Sequence, residues 1–110
     1  MKKFKVKDSG KRQHFKGGAQ RDSGEKPRPD LVSPYALTRV GEHLRKGAEK
    51  YDERNWEKGM PFSRLVASAY RHLLEFQKGD TEEDHLSAII FNIQAIIHFQ
   101  ETGRKELNDL

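Results

Sequence analysis

At 110 residues the chain has room for one ordinary domain and not for two sizeable cores. Hydrophobic residues make up 34% and charged ones 35%, so a monomeric core would be thin unless part of the chain stays unfolded or subunits share a core. The absence of cysteine excludes disulfides, thiolate metal sites and thiol nucleophiles, leaves carboxylates, histidines and amides to hold any metal, and favours a reducing cytoplasm.

No apolar run is long enough to span a membrane, and the basic start at Met1-Lys2-Lys3 leads into no secretory apolar segment. The expected location is therefore cytoplasmic. The net charge of +4 is unevenly spread. Residues 1–30 carry ten Lys and Arg against four Asp and Glu, whereas 31–110 carry eleven against thirteen. The leading thirty residues also hold only five hydrophobic side chains and four glycines, too little apolar surface to offset the entropy of ordering them. A flexible basic tail is expected over 1–16, then an arm over 17–32 and a helical core over 33–102, with 17–110 forming one domain.

Ser33-Pro34 is a capping residue followed by proline at the first helical position, which starts a helix. Leu37, Val40, Leu44, Ala48 and Tyr51 continue it as one apolar stripe, with a bend or break expected near Gly47. Asp52 to Pro61 loses periodicity and reads as a connector around Trp56. Ser63 is the expected cap of a second helix whose stripe is Leu65, Val66, Ala69, Leu73 and Phe76, stopped by Gly79. The Thr81 hydroxyl is the expected cap of a third, with Glu82, Glu83 and Asp84 favoured by the helix dipole. Leu86, Ile89, Ile90, Ile93, Ile96 and Ile97 form its wide apolar face, which ends near Gly103 before one further helical turn in the tail. No stretch alternates long enough for a convincing strand. The expected fold is all-α, a bundle of about three helices with an extended basic N-terminal arm, and the isoleucine-rich helix predicts a homo-dimer or homo-tetramer.

Chemistry has to come from acids, histidines and amides, because no Walker or Rossmann glycine loop and no Ser–His–Asp motif is present. Glu42, Glu49, Asp52 and Glu53 recur at helical spacing, Glu75 sits near the end of the second helix, and Asp84 opens the third. Carboxylates on facing helices are a way to hold a hard cation such as Mg²⁺ or Mn²⁺, although acids on amphipathic helices often form only a solvated face. His72, His85 and Asn92 lie beside apolar stripes, either as a hydrogen-bond network tying helices or as a site, and Arg71 offers a phosphate fork. Tyr51, Asn55 and Trp56 beside Lys50 suit base stacking and amide readout, with plugging of the bundle end as the alternative for Trp56.

Several blocks together resemble the phage dATP/dGTP diphosphohydrolase family: Gly18-Ala19-Gln20-Arg21-Asp22, Lys26-Pro27-Arg28-Pro29-Asp30-Leu31, Gly47-Ala48-Glu49-Lys50-Tyr51, Asn55-Trp56-Glu57-Lys58-Gly59, Arg71-His72-Leu73, and Asp84-His85-Leu86 with Asn92. That family is similar in turn to the all-α MazG-like nucleoside triphosphate pyrophosphatases, whose helical acids bind Mg²⁺. The resemblance implies hydrolysis of a purine dNTP to monophosphate and pyrophosphate. It implies that Arg21, Lys26, Arg28 and Asp30 match motif positions, and that Lys50, Tyr51, Asn55, Trp56, Arg71, His72, His85 and Asn92 line or support a nucleotide site. The expected metal ligands are Glu42, Glu49, Asp52 and Asp84, and the expected catalytic acids are Glu49, Glu75 and Asp84. The MazG-like Glu-x-x-Glu and Glu-x-x-Asp pairs are replaced here by Glu49-x-x-Asp52 and Asp84-x-x-Ser87. A non-catalytic phage protein that sequesters a nucleotide is therefore the second reading, and a nucleic-acid-binding accessory using the basic leader is the third.

Overall fold

The computed structural model of the protein describes residues 3–110, which divide into two units at Leu31 and Val32. In the second unit, the Ser33 hydroxyl accepts from the Ala36 amide and Pro34 occupies the first position of α1, Pro34–Tyr51. The helix runs unbroken through Gly41 and Gly47, so the break expected as one outcome near Gly47 does not occur. It stops where Asp52 leaves helical geometry with φ 112°. A 3-10 turn over Asn55–Lys58 carries Trp56, and α2 (Phe62–Gln77) and α3 (His85–Glu101) follow, with a last 3-10 turn at Lys105–Leu107. The fold is all-α. The central helix is α3, packed along most of α2 and more lightly on α1.

Two caps differ from expectation. Pro61, with no side chain to offer, precedes α2, which begins at Phe62. Its open end is served from the opposite end of the chain, where the Asp109 carboxylate accepts from the Ser63 amide at 2.8 Å and from the Ser63 hydroxyl. At α3 the cap is Asp84 rather than Thr81, because its carboxylate reaches both the Ser87 amide and hydroxyl. Asp109→Ala is expected to lower the thermal midpoint by a few degrees. Its bonds to Ser63 hold the Asp109 carboxyl below the usual carboxylate range. The stabilisation is therefore complete above the unfolded pKa of about 3.9 and lost as pH falls through the lower folded value. Melting curves of the two proteins should differ near neutrality and converge in strong acid.

The core is small: Phe62, Leu65, Ala95 and Phe99, with Trp56, Met60, Ile96 and Leu107 packed against it. On α3 the line that turns inward is Ala88, Asn92, Ala95 and Phe99. The expected apolar face is partly outside, since Leu86, Ile90, Ile93 and Ile97 are 38–52% exposed. The buried line of α3 thus runs through two alanines, an asparagine and Phe99, and the isoleucine ridge lies at the surface. Gly59 is closely constrained. Its φ is +120°, and a Cβ there would lie 2.7 Å from the guanidinium of Arg104, which reaches back toward the carbonyls of Glu57 and Lys58.

The first unit contains a short antiparallel hairpin, β1 (Arg12–His14) against β2 (Gln20–Asp22), with Gln13 opposite Arg21. Three-residue strands are too short to show alternation, so periodicity could not reveal them. The hairpin is held by its turn, where Gly18 adopts φ 91° and donates to the Phe15 carbonyl. The Asp22 carboxylate adds further ties, accepting from the Ser9 and Gly24 amides at 2.7 and 2.8 Å and from the Ser9 hydroxyl. The pairing spans the boundary between the expected tail and arm. Among the described residues, no helix is long and apolar enough to cross a membrane.

Candidate nucleotide site

One line of α1 carries Arg39, His43, Lys46 and Lys50, spaced by four, three and four residues and so stacked along one side of the helix. That side faces the approach to α3. A cavity of about 390 Å³ lies there, lined by this line, by Glu42 and Tyr51 of α1, by His72 of α2, and by Glu82, Glu83 and Asp84 at the start of α3. A second cavity of about 330 Å³ adjoins it, sharing His43, Gly47 and Tyr51. Its walls include Asn55, Trp56, Met60 and Phe91, so it is largely aromatic. Trp56 sits edge-on to Phe91, His98 and Phe99 at 4.9–5.9 Å between ring centres, which fixes its plane. The aromatic room offers stacking and one amide, with Asp52 and Arg54 also in its wall, while the polar room offers two lysine ammonium groups and several carboxylates.

The charged groups of the polar room are already arranged. Arg39 clamps Asp84 with two bonds of 2.6 and 3.0 Å, and that clamp holds the Asp84 carboxyl well below the usual carboxylate range. Asp84 also receives both Ser87 donors, so its oxygens face four donors. Glu42 accepts two bonds from Arg45, which lower its pKa, and Glu49 is paired with the same arginine. Glu75 of α2 is paired with Lys78, just past the end of that helix.

Behind the cavity lies a histidine pair. His85 is 3% exposed, and its Nε2 meets the Asp80 carboxylate at 2.5 Å. Its Nδ1 faces the Nδ1 of His72 at 2.8 Å. The hydrogen bond from His85 holds the Asp80 carboxyl below its ordinary value. Burial, and then the neighbouring His85, push the His72 pKa down, which favours its neutral form. Asn92 donates to the Ser68 hydroxyl and the Ala88 carbonyl, tying α2 to α3 from a buried position. Arg71 is exposed on α2.

Of the expected residues, the structure thus brings together Glu42, Lys50, Tyr51, His72 and Asp84 in the polar room, and Tyr51, Asp52, Asn55 and Trp56 in the aromatic one. His85 and Asn92 stand behind the walls. In the first unit, Arg21, Lys26, Arg28 and Asp30 line a separate, open cavity with Arg12 and Asp22, and Arg28 is paired with Asp30. Sequence reasoning missed Arg39, His43, Lys46, Asp80, Glu83 and Phe91. The helical spacing of 39, 43, 46 and 50 was a usable signal for the first three.

The resemblance implies a divalent cation. Glu42, Glu49, Asp52 and Asp84 do not converge on a point: the first two turn to Arg45, Asp84 to Arg39, and Asp52 lines the aromatic room. The side chains that do converge are His72, Glu83 and His85, whose donor atoms lie within 4.8 Å of one another. Mg²⁺ demands an oxygen shell, which this donor set does not supply.

No curated protein and no solved structure shows significant similarity to the chain. The family model for "dATP/dGTP diphosphohydrolase, N-terminal" matches residues 16–109, from the hairpin turn and β2 through all three helices. The chain belongs to the dATP/dGTP diphosphohydrolase N-terminal family.

Proposed function

We propose that the protein hydrolyses a purine deoxynucleoside triphosphate, dGTP or dATP, to the monophosphate and pyrophosphate, in a phage nucleotide-pool role. The observation that supports this reading is the pairing, along a single helix, of a cavity walled by Tyr51, Trp56 and Phe91 with an adjoining polar one that carries Lys46 and Lys50. In this reading Trp56, Tyr51 and Phe91 hold the purine, and Asn55 reads its edge. Lys46 and Lys50 neutralise the charge that builds on departing pyrophosphate. Water attacks the α-phosphorus, the bond to the bridging oxygen breaks, and the proton of the water passes to a carboxylate. Glu82 and Glu83 are the candidate acceptors, because Glu42 and Asp84 in the same cavity are held by arginines. A divalent cation supplies Lewis acidity when bound. The test is pyrophosphate release from each dNTP with Mg²⁺ or Mn²⁺. Product should appear with dGTP or dATP and be reduced at least about tenfold by Trp56→Ala. No pyrophosphate from any dNTP sinks the reading.

The capture of Glu42, Glu49 and Asp84 by arginines favours one second reading, a protein that binds a nucleotide and returns it unchanged. Incubation, denaturation and recovery of intact ligand would identify it. We further propose that a second copy covers the isoleucine ridge of α3; light scattering showing a folded monomer at micromolar concentration would overturn that.

A further inference from the structure

We propose that His72, Glu83 and His85 form a seat for a first-row transition-metal dication, Zn²⁺ or Mn²⁺ in preference to Mg²⁺. The arrangement of Asp80, His85 and His72 carries the inference. The Asp80 carboxylate at 2.5 Å from His85 Nε2 fixes the proton on that nitrogen and leaves the Nδ1 lone pair pointing away from it. A carboxylate behind a histidine in this way is the usual support of a metal-binding imidazole, because it sets the tautomer and raises ligand basicity. The freed Nδ1 is aimed at His72 Nδ1, 2.8 Å away. Two imidazole nitrogens on one zinc-sized ion stand roughly 3.3 Å apart, so the nitrogens need to part by about half an ångström and the rings to turn until both lone pairs meet on an ion beside the line that joins them.

Glu83 completes the set. It is exposed, it lines the same cavity as His72, and its carboxylate already lies within 4.8 Å of a ring nitrogen of each histidine. Burial of His85 holds one ligand rigid, and the open side toward the cavity leaves positions for water or a phosphate oxygen. Two imidazoles and one carboxylate suit zinc, manganese and their neighbours, whereas Mg²⁺ prefers oxygen alone. The role of this ion in catalysis rests on the reading above, but its binding does not.

Titration calorimetry on the full chain, stripped of metal with a chelator, tests the seat with Zn²⁺, Mn²⁺ and Mg²⁺ in turn and no nucleotide. Zn²⁺ should bind one equivalent at least about 100-fold more tightly than Mg²⁺. His72→Gln, at a half-buried position in the cavity wall, and Glu83→Gln, at an exposed one, both outside the core cluster, should each weaken Zn²⁺ by at least about tenfold. Asp80→Asn should weaken it by about 10–100-fold and shift the visible absorption of the Co²⁺ form. Glu49→Gln should change nothing. Equal affinity for Mg²⁺, no binding at all, or an undiminished Zn²⁺ affinity in His72→Gln overturns the proposal. Pyrophosphate release without such binding removes the seat and keeps the enzyme; binding at these residues without turnover does the reverse.

Discussion

Phe99→Ala is expected to cost about 3–5 kcal/mol and to leave the protein largely unfolded at physiological temperature. Phe99 is fully buried, with Phe62, Leu65 and Ala95 around it, Trp56 edge-on and the Arg104 guanidinium 5.7 Å from its ring centre. Removing it opens a cavity at the meeting point of α2, α3 and both 3-10 turns, and few other buried side chains remain to close over it. A domain of this size typically has about 5–15 kcal/mol in total, and so small a core places this one toward the low end. Circular dichroism against temperature would show the loss as a missing or much earlier cooperative transition. Ile97→Ala is the informative comparison. Ile97 is 52% exposed on the outer ridge of α3, so its loss should scarcely move the transition of a monomer. If Phe99→Ala melts like the parent protein, the packing described above is wrong.

That contrast shows why the helices were legible from sequence and their orientation was not. Pro34, Gly79, the acids before His85 and the spacing of apolar residues are local signals, and they located all three helices to within a few residues. Which side of α3 turns inward is not local. The helix is apolar over most of its circumference, and the most hydrophobic line, through Ile90, Ile93 and Ile97, is not the one that α2 packs against. Ala88 and Ala95 win because small side chains permit close approach, a property of two surfaces together rather than of one sequence. The cap of α2 failed for the same reason, since its partner Asp109 lies 46 residues away.

The site divides along a similar line. Tyr51, Asn55 and Trp56 could be grouped because they are neighbours in the chain, and the structure does gather them around one cavity. The acids could be counted but not assigned, because whether a glutamate faces a cation or an arginine depends on rotamers and on the partner helix. Arg45 lies between Glu42 and Glu49 at helical spacing and takes both, which the sequence already contained as an i, i+3 and i, i+4 pattern. Asp80 is different. Its role toward His85 appears only once the turn between α2 and α3 folds back, five residues apart in sequence and against a buried ring.

The largest effect on activity is expected from Lys46→Met and Lys50→Met. The two ammonium groups sit one turn apart on the cavity face of α1, where, in the proposed reading, they meet oxygens of the leaving pyrophosphate. Each charge-assisted contact of this kind contributes about 1.5–3 kcal/mol, so each single change should lower kcat/KM for dGTP by about ten- to a hundredfold. The double change should lower it further. If the contacts strengthen as charge moves onto the leaving group, the loss falls on kcat; if they serve only to bind the triphosphate, it falls on KM. Lysine to arginine should restore part of the rate, because the charge returns with a different geometry. The parent enzyme should also lose affinity for dGTP as salt rises, and the double variant should lose less, since the screened charges are gone. Arg39→Ala should cost less than either lysine in ground-state binding, as the Arg39 guanidinium is already occupied by Asp84. A double lysine variant with unchanged kcat/KM and an unchanged salt dependence would place the phosphates elsewhere on the molecule.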